Sequence, residues 1–273
     1  MRKVIAGSAI AVIILLSFSS RAMAQAGNAL DNTLYSKLNK DPSTGGPAPR
    51  HDVSGAWAGP LEPEHPEVAP LTPQGQKLFS LNKSERQFGT AKSNDPLKTC
   101  DPLGIPRNLS FETRGLNFAQ MPDRVVVLHQ YQKVWRDVWM DGRELPKNFD
   151  TKDGPPSRWY GYSVGHWDGD NTLVIDTSGS DDQSWLDTAG HPHSVDMRVE
   201  ERYTRVDHNH LQMTVTIDDP KIYTKPFVLS KATYRWIPDQ VTEEQICVPS
   251  EGIAYTNIIS DPAFGVGDGA KAK

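Results

Sequence analysis

The stretch Trp159-Tyr-Gly-Tyr-Ser-Val-Gly-His-Trp-Asp-Gly-Asp-Asn-Thr-Leu-Val-Ile-Asp-Thr177 decides the fold class. It contains two runs rich in β-branched and aromatic residues, 159–167 and 172–177, separated by the turn sequence Asp168-Gly-Asp-Asn171. Runs of this composition on either side of a glycine-containing turn are typical of a β-hairpin. The stretch therefore predicts two neighbouring antiparallel strands.

The same pattern of short strands and turns fills most of the chain. Further strands are predicted over residues 52–59, 117–120, 124–131, 134–140, 198–205, 211–217 and 227–236. About nine or ten strands joined locally form a meander, and a chain of this size usually closes such a meander into a barrel, because closure removes the unpaired edges. We therefore predict an all-β fold, an antiparallel lipocalin-like β-barrel with a short N-terminal helix.

The helix is predicted from its first turn. Thr72 has the form of an N-cap, and Pro73 follows at the first helical position, where its missing N–H is not needed. Leu78 and Phe79 give this helix an apolar side. The helix thus lies between the first strand and the main meander.

The N-terminus has the features of a signal peptide. Arg2 and Lys3 precede an apolar run from Val4 to Leu16, and Ala22-Met23-Ala24 forms a small-x-small cleavage site. The run is shorter than the roughly 20 residues that a membrane-spanning helix needs. We predict a cleaved signal peptide over residues 1–24 and a periplasmic or secreted protein.

The rest of the chain divides by composition. Residues 25–50 are rich in Asn, Ser, Pro and Gly and predict a flexible arm, because such a segment buries too little apolar surface to offset its ordering. We predict one barrel domain over residues 51–262 and a disordered tail over residues 263–273.

The charge of the chain argues against two classes of partner. The formal net charge is -5, and removal of the signal peptide takes away three basic residues, Arg2, Lys3 and Arg21, and no acid. Nucleic acids and anionic lipids bind proteins through basic patches. We expect no nucleic-acid partner and no membrane insertion after signal cleavage, but a small-molecule ligand or substrate. The oligomeric state stays open.

The two cysteines predict a disulfide. Cys100 and Cys247 are the only cysteines, and export would place them where thiols are oxidised. A catalytic or metal-binding pair is the alternative. It is less favoured, since the two residues are far apart in sequence and neither lies in a Cys-rich or His-rich motif.

The segment Asp187-Thr-Ala-Gly-His-Pro-His193 is the main candidate for catalysis. His191 and His193 could present two imidazoles to one point, with Asp187 orienting one ring or completing a three-ligand metal set. Acid–base use is a further possibility, because histidine titrates near neutral pH. The simplest alternative is that both histidines hydrogen-bond a buried loop. We assign His191 and His193 to acid–base catalysis, with no metal and no cofactor.

Glu201 is the third candidate catalytic residue. Alternation along its strand places Glu201 and Glu200 on opposite sides, so one acid must face inward. A carboxyl group buried beside an aromatic wall has a raised pKa and could act as a general acid or base. Pairing with Arg114, Arg136 or Arg158 across the sheet would instead make it a structural ion pair.

Aromatic residues supply a candidate ligand wall. Tyr160, Tyr162 and His166 share one face by two-residue alternation, which suits stacking and hydrogen bonding to an aromatic or sugar-like ligand. The sequence leaves open which face of this strand is interior. Substrate binding is assigned to five side chains: Tyr162, His166, Trp185, Arg136 and Tyr223.

Two resemblances add to this picture. Gly55-Ala-Trp57 opens the first strand, before a short helix and a meander, and so resembles a lipocalin-type barrel, in which a Gly-x-Trp plugs the closed end. This resemblance implies an architecture and no particular ligand.

The second resemblance covers nearly the whole mature chain. It rests on the runs Cys100–Pro106, Asp141–Arg143, Gly161–Thr177, Trp185–Ser194, Glu201–Tyr203 and Ile217–Tyr223. Together these resemble a widespread family of secreted bacterial proteins of uncharacterised function. The resemblance implies one domain and an exported setting but no activity.

These features lead to one functional hypothesis and two alternatives. The first is an exported enzyme that acts on a small organic molecule in the barrel mouth by metal-free acid–base chemistry, such as elimination, isomerisation or hydrolysis. The second is a carrier of an apolar or aromatic compound, and the third an envelope structural protein without a pocket. Pocket polarity separates the first two, since an enzyme needs converging titratable groups and a carrier mostly apolar walls.

Overall fold

A computed structural model of the chain describes residues 43–85, 92–110, 115–238, 244–263 and 265, without the side chains of residues 60–62. The predicted signal peptide, residues 1–24, lies outside the described residues, as do most of the predicted arm and nearly all of the predicted tail. Those three predictions therefore stay predictions.

Nine strands form a closed barrel in which each strand is hydrogen-bonded to the next and the last to the first. The strands are β1 Gly55–Glu64, β2 Leu116–Gln120, β3 Arg124–His129, β4 Trp135–Trp139, β5 Tyr162–Asp168, β6 Thr172–Ser178, β7 Arg198–Arg205, β8 His210–Asp218 and β9 Phe227–Trp236. The predicted all-β barrel is confirmed. One pair departs from the expected antiparallel meander, because β4 and β5 run parallel.

Short helices lie outside the barrel. They are α1 Pro73–Phe79, a 3-10 helix Pro96–Thr99, α2 Arg107–Ser110, α3 Pro249–Tyr255, a π-helical turn Thr256–Ser260 and α4 Asp261–Ala263. The predicted start of α1 is confirmed, since the Thr72 side chain accepts a hydrogen bond from the Gly75 N–H at 3.1 Å. The helical segment after β9 was not predicted. In the part of the chain that the structure describes, every helix is too short or too polar to cross a bilayer.

The hairpin of β5 and β6 is confirmed with a shorter first strand. Tyr162 pairs with Ser178 and Asp168 with Thr172. The strand begins only after Gly161, which has a positive φ of 60° and leaves no room for a Cβ, because that atom would lie 2.7 Å from the Ser178 carbonyl oxygen. Residues 159–161 therefore precede the strand.

The register also decides which face of β5 is interior. Ser163 is buried opposite Thr177, whereas His166 is exposed. Because alternate residues point to opposite faces, Tyr162 and His166 lie on the outer face of the barrel.

The barrel interior is filled by side chains that alternate along each strand. In β7 the inward residues are buried and their neighbours are not, which is the pattern of a strand with one face in the core. Fully buried large residues of the core include Trp57, Leu173, Ile175, Tyr203, Leu211 and Tyr234. The interior is therefore a packed core rather than an open lumen.

One end of the barrel is closed by Trp57. Its indole N–H donates to the Val53 carbonyl at 2.8 Å, and the Arg205 guanidinium lies over its ring at 5.0 Å. Arg205 also donates to the carbonyl oxygens of His208, at 2.6 and 3.1 Å, and of Asp52, at 3.0 Å. This arrangement agrees with the lipocalin-like architecture that the Gly-x-Trp motif implied.

The predicted disulfide is present. Cys100 and Cys247 are bonded across a sequence separation of 147 residues. The bond ties the segment that precedes α2 to the segment that follows β9. By chain-entropy reasoning, closing so long a loop removes on the order of 5 kcal/mol of freedom from the unfolded chain.

Candidate functional site

A buried ion pair lies inside the barrel. Arg136 of β4 and Glu201 of β7 form two parallel hydrogen bonds, of 2.6 Å between Nη1 and Oε1 and of 2.7 Å between Nη2 and Oε2. The Tyr203 hydroxyl donates to Oε2 at 2.9 Å. Burial acts to lower the pKa of Arg136, but the charge and hydrogen bonds of Glu201 outweigh it and hold this pKa above its usual value. Of the two roles left open for Glu201, the structure shows the ion pair, with Arg136 as the partner.

Polar side chains continue around this pair. Arg136 Nη1 also donates to Thr177 Oγ1 at 3.1 Å, and the hydroxyl oxygens of Ser163 and Thr177 are 2.8 Å apart. His129 is fully buried nearby, and its ring nitrogens have no hydrogen-bond partner among the described residues. Burial, with a smaller contribution from the charge of Arg136, lowers the pKa of His129 to about 3. The imidazole is therefore neutral at physiological pH.

The barrel is closed between β4 and β5 by its shortest pairing, and the rest of the boundary between these two strands is a gap in the sheet. These strands pair at two positions, Val138 with Ser163 and Trp139 with Val164, and residues 140–161 connect them. A cleft of about 540 Å³ lies along this gap. Arg136 and Ser163 contribute to its lining from the inner face of the sheet, whereas Trp135 and Tyr162 contribute from the outer face. The cleft therefore follows the gap in the wall.

Aromatic rings and arginines dominate the lining of this cleft. The five rings belong to Trp135, Trp139, Trp159, Tyr160 and Tyr162, and the three guanidinium groups to Arg136, Arg143 and Arg158. Trp135 is 67% exposed, which is unusual for so large an apolar side chain. The cleft thus offers both stacking surfaces and hydrogen-bond donors.

Two of the arginines lie flat on aromatic rings. Arg143 is 3.7 Å from the centre of the Trp139 ring, and Arg158 is 4.3 Å from that of Tyr162. Arg143 is also paired with Asp141 through hydrogen bonds of 2.6 to 3.0 Å. Across the described residues, the guanidinium of Arg158 has no hydrogen bond and no ion pair. Arg158 is therefore free to bind a ligand.

A second cavity, of about 600 Å³, lies beside the loop between β6 and β7. Ser184 and His193 are in its wall, with Oγ and Nε2 2.8 Å apart. His193 Nδ1 lies 3.1 Å from the Ser194 carbonyl oxygen, which can only accept a hydrogen bond. This assigns the proton of the neutral ring to Nδ1 and leaves Nε2 as an acceptor. The Ser184 hydroxyl has one proton, and both His193 Nε2, at 2.8 Å, and the Asp181 carbonyl oxygen, at 3.1 Å, are within reach of it. Burial lowers the pKa of His193 and so favours the neutral ring.

His191 has a different partner in the same loop. Its Nδ1 donates to Asp187 Oδ2 at 2.6 Å, and its ring stacks on Phe79 of α1 at 4.9 Å. Burial acts to raise the pKa of Asp187, but the charge and hydrogen bond of His191, together with backbone N–H groups, hold this pKa below its usual value. Asp187 thus orients the His191 ring, which is one of the two roles that the sequence suggested for this carboxylate.

The structure distributes the predicted site residues over several places. Tyr162 and Arg136 line the cleft in the wall, whereas Trp185 and His193 line the loop cavity. The remaining four lie apart from both linings: His191 stacks on α1, Glu201 is inside the barrel, His166 is exposed on the outer face, and the Tyr223 hydroxyl donates to the Pro192 carbonyl at 2.8 Å. The proposed catalytic set of His191, His193 and Glu201 therefore does not share one cavity.

Three site residues were missed in the sequence. Ser184 gave no signal, because it follows two aspartates in an ordinary turn sequence. The pair Arg158-Trp159, by contrast, places an arginine and an aromatic residue together where the predicted strand run 159–167 begins. This pairing could have indicated a binding surface. Within the described ranges, no group of three His, Cys, Asp or Glu side chains is placed to hold a metal ion.

Comparison with protein-family models and with curated proteins finds no match to this chain. The resemblance to a widespread secreted family therefore gains no support from these comparisons. The lipocalin likeness remains one of architecture.

Proposed function

We propose that this protein binds a small aromatic molecule in the cleft between β4 and β5. The observation that carries the proposal is the cleft itself, which follows a gap in the barrel wall and is lined by five aromatic rings. Its volume of about 540 Å³ falls in the range of small-molecule sites, which are mostly apolar with a few placed polar groups.

The packing of the barrel supports a site in the wall. The interior is filled by core side chains, and the Arg136–Glu201 pair occupies the inner side of the cleft. Trp135, by contrast, is largely exposed at the cleft. A large exposed ring beside a cavity is a stacking surface that a ligand would cover. The proposed function is therefore that of a binding protein or carrier.

Calorimetric titration of the purified mature protein with phenol, indole, benzoate and 4-hydroxybenzoate tests this proposal. We expect at least one of them to bind, and Trp135→Ala to weaken its affinity about tenfold, because a stacked ring contributes about 0.5–1.5 kcal/mol beyond its buried area. Tyr255→Ala is the matched control, since Tyr255 is 54% exposed and lines neither cavity. Binding by none of the four, or equal binding by both variants, would contradict the proposal.

A second candidate function is catalysis in the loop cavity. The specific observation is that His193, in the wall of that cavity, is held in a defined orientation by Ser184 and Ser194. Oriented imidazoles are suited to proton transfer.

Incubation of the protein with a small-molecule extract, followed by mass spectrometry, tests the second candidate. A product formed by the wild type should disappear with His193→Gln and persist with His166→Gln, since the His166 side chain is exposed on the outer face. Absence of any product, or its loss in both variants, speaks against catalysis in this cavity.

A further inference from the structure

We propose that the ligand of the cleft is an aromatic carboxylate, whose carboxylate group is bound by Arg158. The inference rests on the proposed binding function and names the chemical class of the ligand. It follows from three features of the cleft: the anchoring of Arg158, the pairing of the other charges and the distribution of free aromatic faces.

Arg158 is held in place by its backbone and by stacking. Its N–H donates to the Gly179 carbonyl at 3.0 Å, and its own carbonyl accepts from the N–H groups of Gly161, at 3.0 Å, and Asp181, at 2.9 Å. The guanidinium rests on the Tyr162 ring. The guanidinium is planar, and its N–H groups form a fork that matches the two oxygens of a carboxylate, while contact with the ring limits where that fork can lie. The donor is therefore oriented before any ligand arrives.

The charges of the cleft favour a ligand with one negative charge. Five charged side chains line it, and four of them have an oppositely charged neighbour: Arg136 pairs with Glu201, Arg143 with Asp141, Asp137 with Arg124, and Glu144 with Lys147. Arg158 is the fifth, and across the described residues it has no such neighbour. One uncompensated cation suits a monoanion better than a phosphate or a neutral compound.

The aromatic faces indicate that the rest of the ligand is a ring. Arg143 and Arg124 both lie over Trp139, at 3.7 and 4.6 Å, so that ring already has two cations in contact with it. Trp135 and Trp159 carry no stacked cation among the described residues. Trp159 follows Arg158 directly in the chain, so a ring attached to a carboxylate at Arg158 can reach an aromatic surface. Ring stacking and the guanidinium fork together select an aryl carboxylate.

The test compares two ligands of the same shape on three proteins. Calorimetric titration is carried out with 4-hydroxybenzoate and with its neutral counterpart 4-hydroxybenzamide. The proteins are the wild type, Arg158→Gln and Arg50→Gln. Arg50 is the control because it is also an exposed arginine, but it is paired with Asp170 and lies outside the lining of the cleft.

We expect the wild type to bind the carboxylate at least about tenfold more tightly than the amide, because a hydrogen bond to a charged group contributes about 1.5–3 kcal/mol. Arg158→Gln should remove this preference, whereas Arg50→Gln should keep it to within about twofold. Both side chains are exposed, so equal thermal midpoints of the three proteins are expected and confirm that folding is intact.

Failure of this inference is distinguishable from failure of the proposed function. If the amide binds as tightly as the carboxylate, or if Arg158→Gln and Arg50→Gln lose affinity equally, the carboxylate assignment is overturned while the cleft remains a binding site. If neither ligand binds, and the wider set of aromatic compounds also fails, both are overturned.

Discussion

The closed end of the barrel and the cleft in its wall each hold an arginine stacked on an aromatic ring. At the closed end, Arg205 lies 5.0 Å from the centre of the Trp57 ring, is 2% exposed, and gives its N–H groups to the carbonyls of two other residues. In the cleft, Arg158 lies 4.3 Å from the centre of the Tyr162 ring, is exposed, and keeps its guanidinium N–H groups free within the described chain. The stacking is alike in both places. What differs is whether the guanidinium N–H groups donate to other groups of the protein. This difference separates a structural arginine from one that can bind a ligand.

Arg136 extends the comparison to the barrel interior. It reaches the cleft from the inner face of the sheet, yet both of its terminal nitrogens are bonded to Glu201. The cleft therefore has on its inner side an arginine whose terminal nitrogens are saturated, and on its outer side one whose guanidinium has no partner among the described residues. Substitutions at these arginines, and a pH titration of the barrel interior, test the contrast between arginines that are bonded within the protein and Arg158.

The largest effect is expected from Arg136→Met. This change leaves the carboxylate of Glu201 buried without its counter-charge, and removing one partner of a buried ion pair typically costs about 3–5 kcal/mol of unfolding free energy. Denaturant unfolding measures the loss. The double variant Arg136→Met with Glu201→Leu should recover most of it, since neither charge remains. A loss below about 1 kcal/mol in the single variant would show that Arg136 is not the saturated arginine described above.

A second effect concerns the acid sensitivity of the interior. Because the pKa of His129 is lowered to about 3, the unfolded chain takes up a proton before the folded one, so stability is lost as the pH falls below about 6.5. Between pH 7.5 and 5 this amounts to about 2 kcal/mol.

Denaturant unfolding at several pH values measures this loss in the wild type and in His129→Gln, which cannot titrate. Between pH 7.5 and 5, the unfolding free energy of the variant should fall by about 2 kcal/mol less than that of the wild type, whatever the stability of the variant at pH 7.5. Parallel curves for the two proteins would mean that His129 does not resist protonation in the folded state.

The smallest effect compares the two stacked arginines directly. Arg205→Lys should cost about 1–2 kcal/mol of unfolding free energy, because a lysine cannot satisfy the carbonyls of both His208 and Asp52. The same change at Arg158 should alter stability by less than about 0.5 kcal/mol, as at other exposed sites. Thermal unfolding of the two variants tests this, and equal losses at both positions would contradict the distinction drawn here.

Local features of the fold could be predicted from the sequence. Two strands have the predicted bounds: β7, Arg198–Arg205, and β9, Phe227–Trp236. Their bounds could be predicted because the alternation of buried and exposed residues is visible in the sequence of each strand alone. The disulfide and the N-cap at Thr72 also followed from nearby residues and compartment chemistry.

Features that depend on distant partners could not be predicted. The parallel pairing of β4 with β5 involves strands separated by residues 140–161, and no local pattern reveals it. The inward face of β5 is set by its register with β6, and was left open for the same reason.

The candidate site shows the same division. Tyr162 and His193 were predicted and do line cavities, and Arg136 was one of three proposed partners of Glu201. The role proposed for Arg158 depends on its guanidinium having no hydrogen-bond or ion-pair partner among the described residues, and contacts of this kind are visible only in the folded structure. A sequence shows which groups are present, but not which of them the fold leaves unused.

The location of the cleft can be traced to the strand count of the barrel. Around a closed ring, neighbours can alternate in direction throughout only if the number of strands is even, and this ring has nine. An odd ring must contain a seam where two neighbours run the same way, here β4 and β5. At such a seam the chain has to travel the full height of the barrel before it re-enters the sheet, which takes a long crossover. Parity thus requires one parallel pair in this ring, and the cleft is lined by the two strands of that pair and by the crossover that joins them.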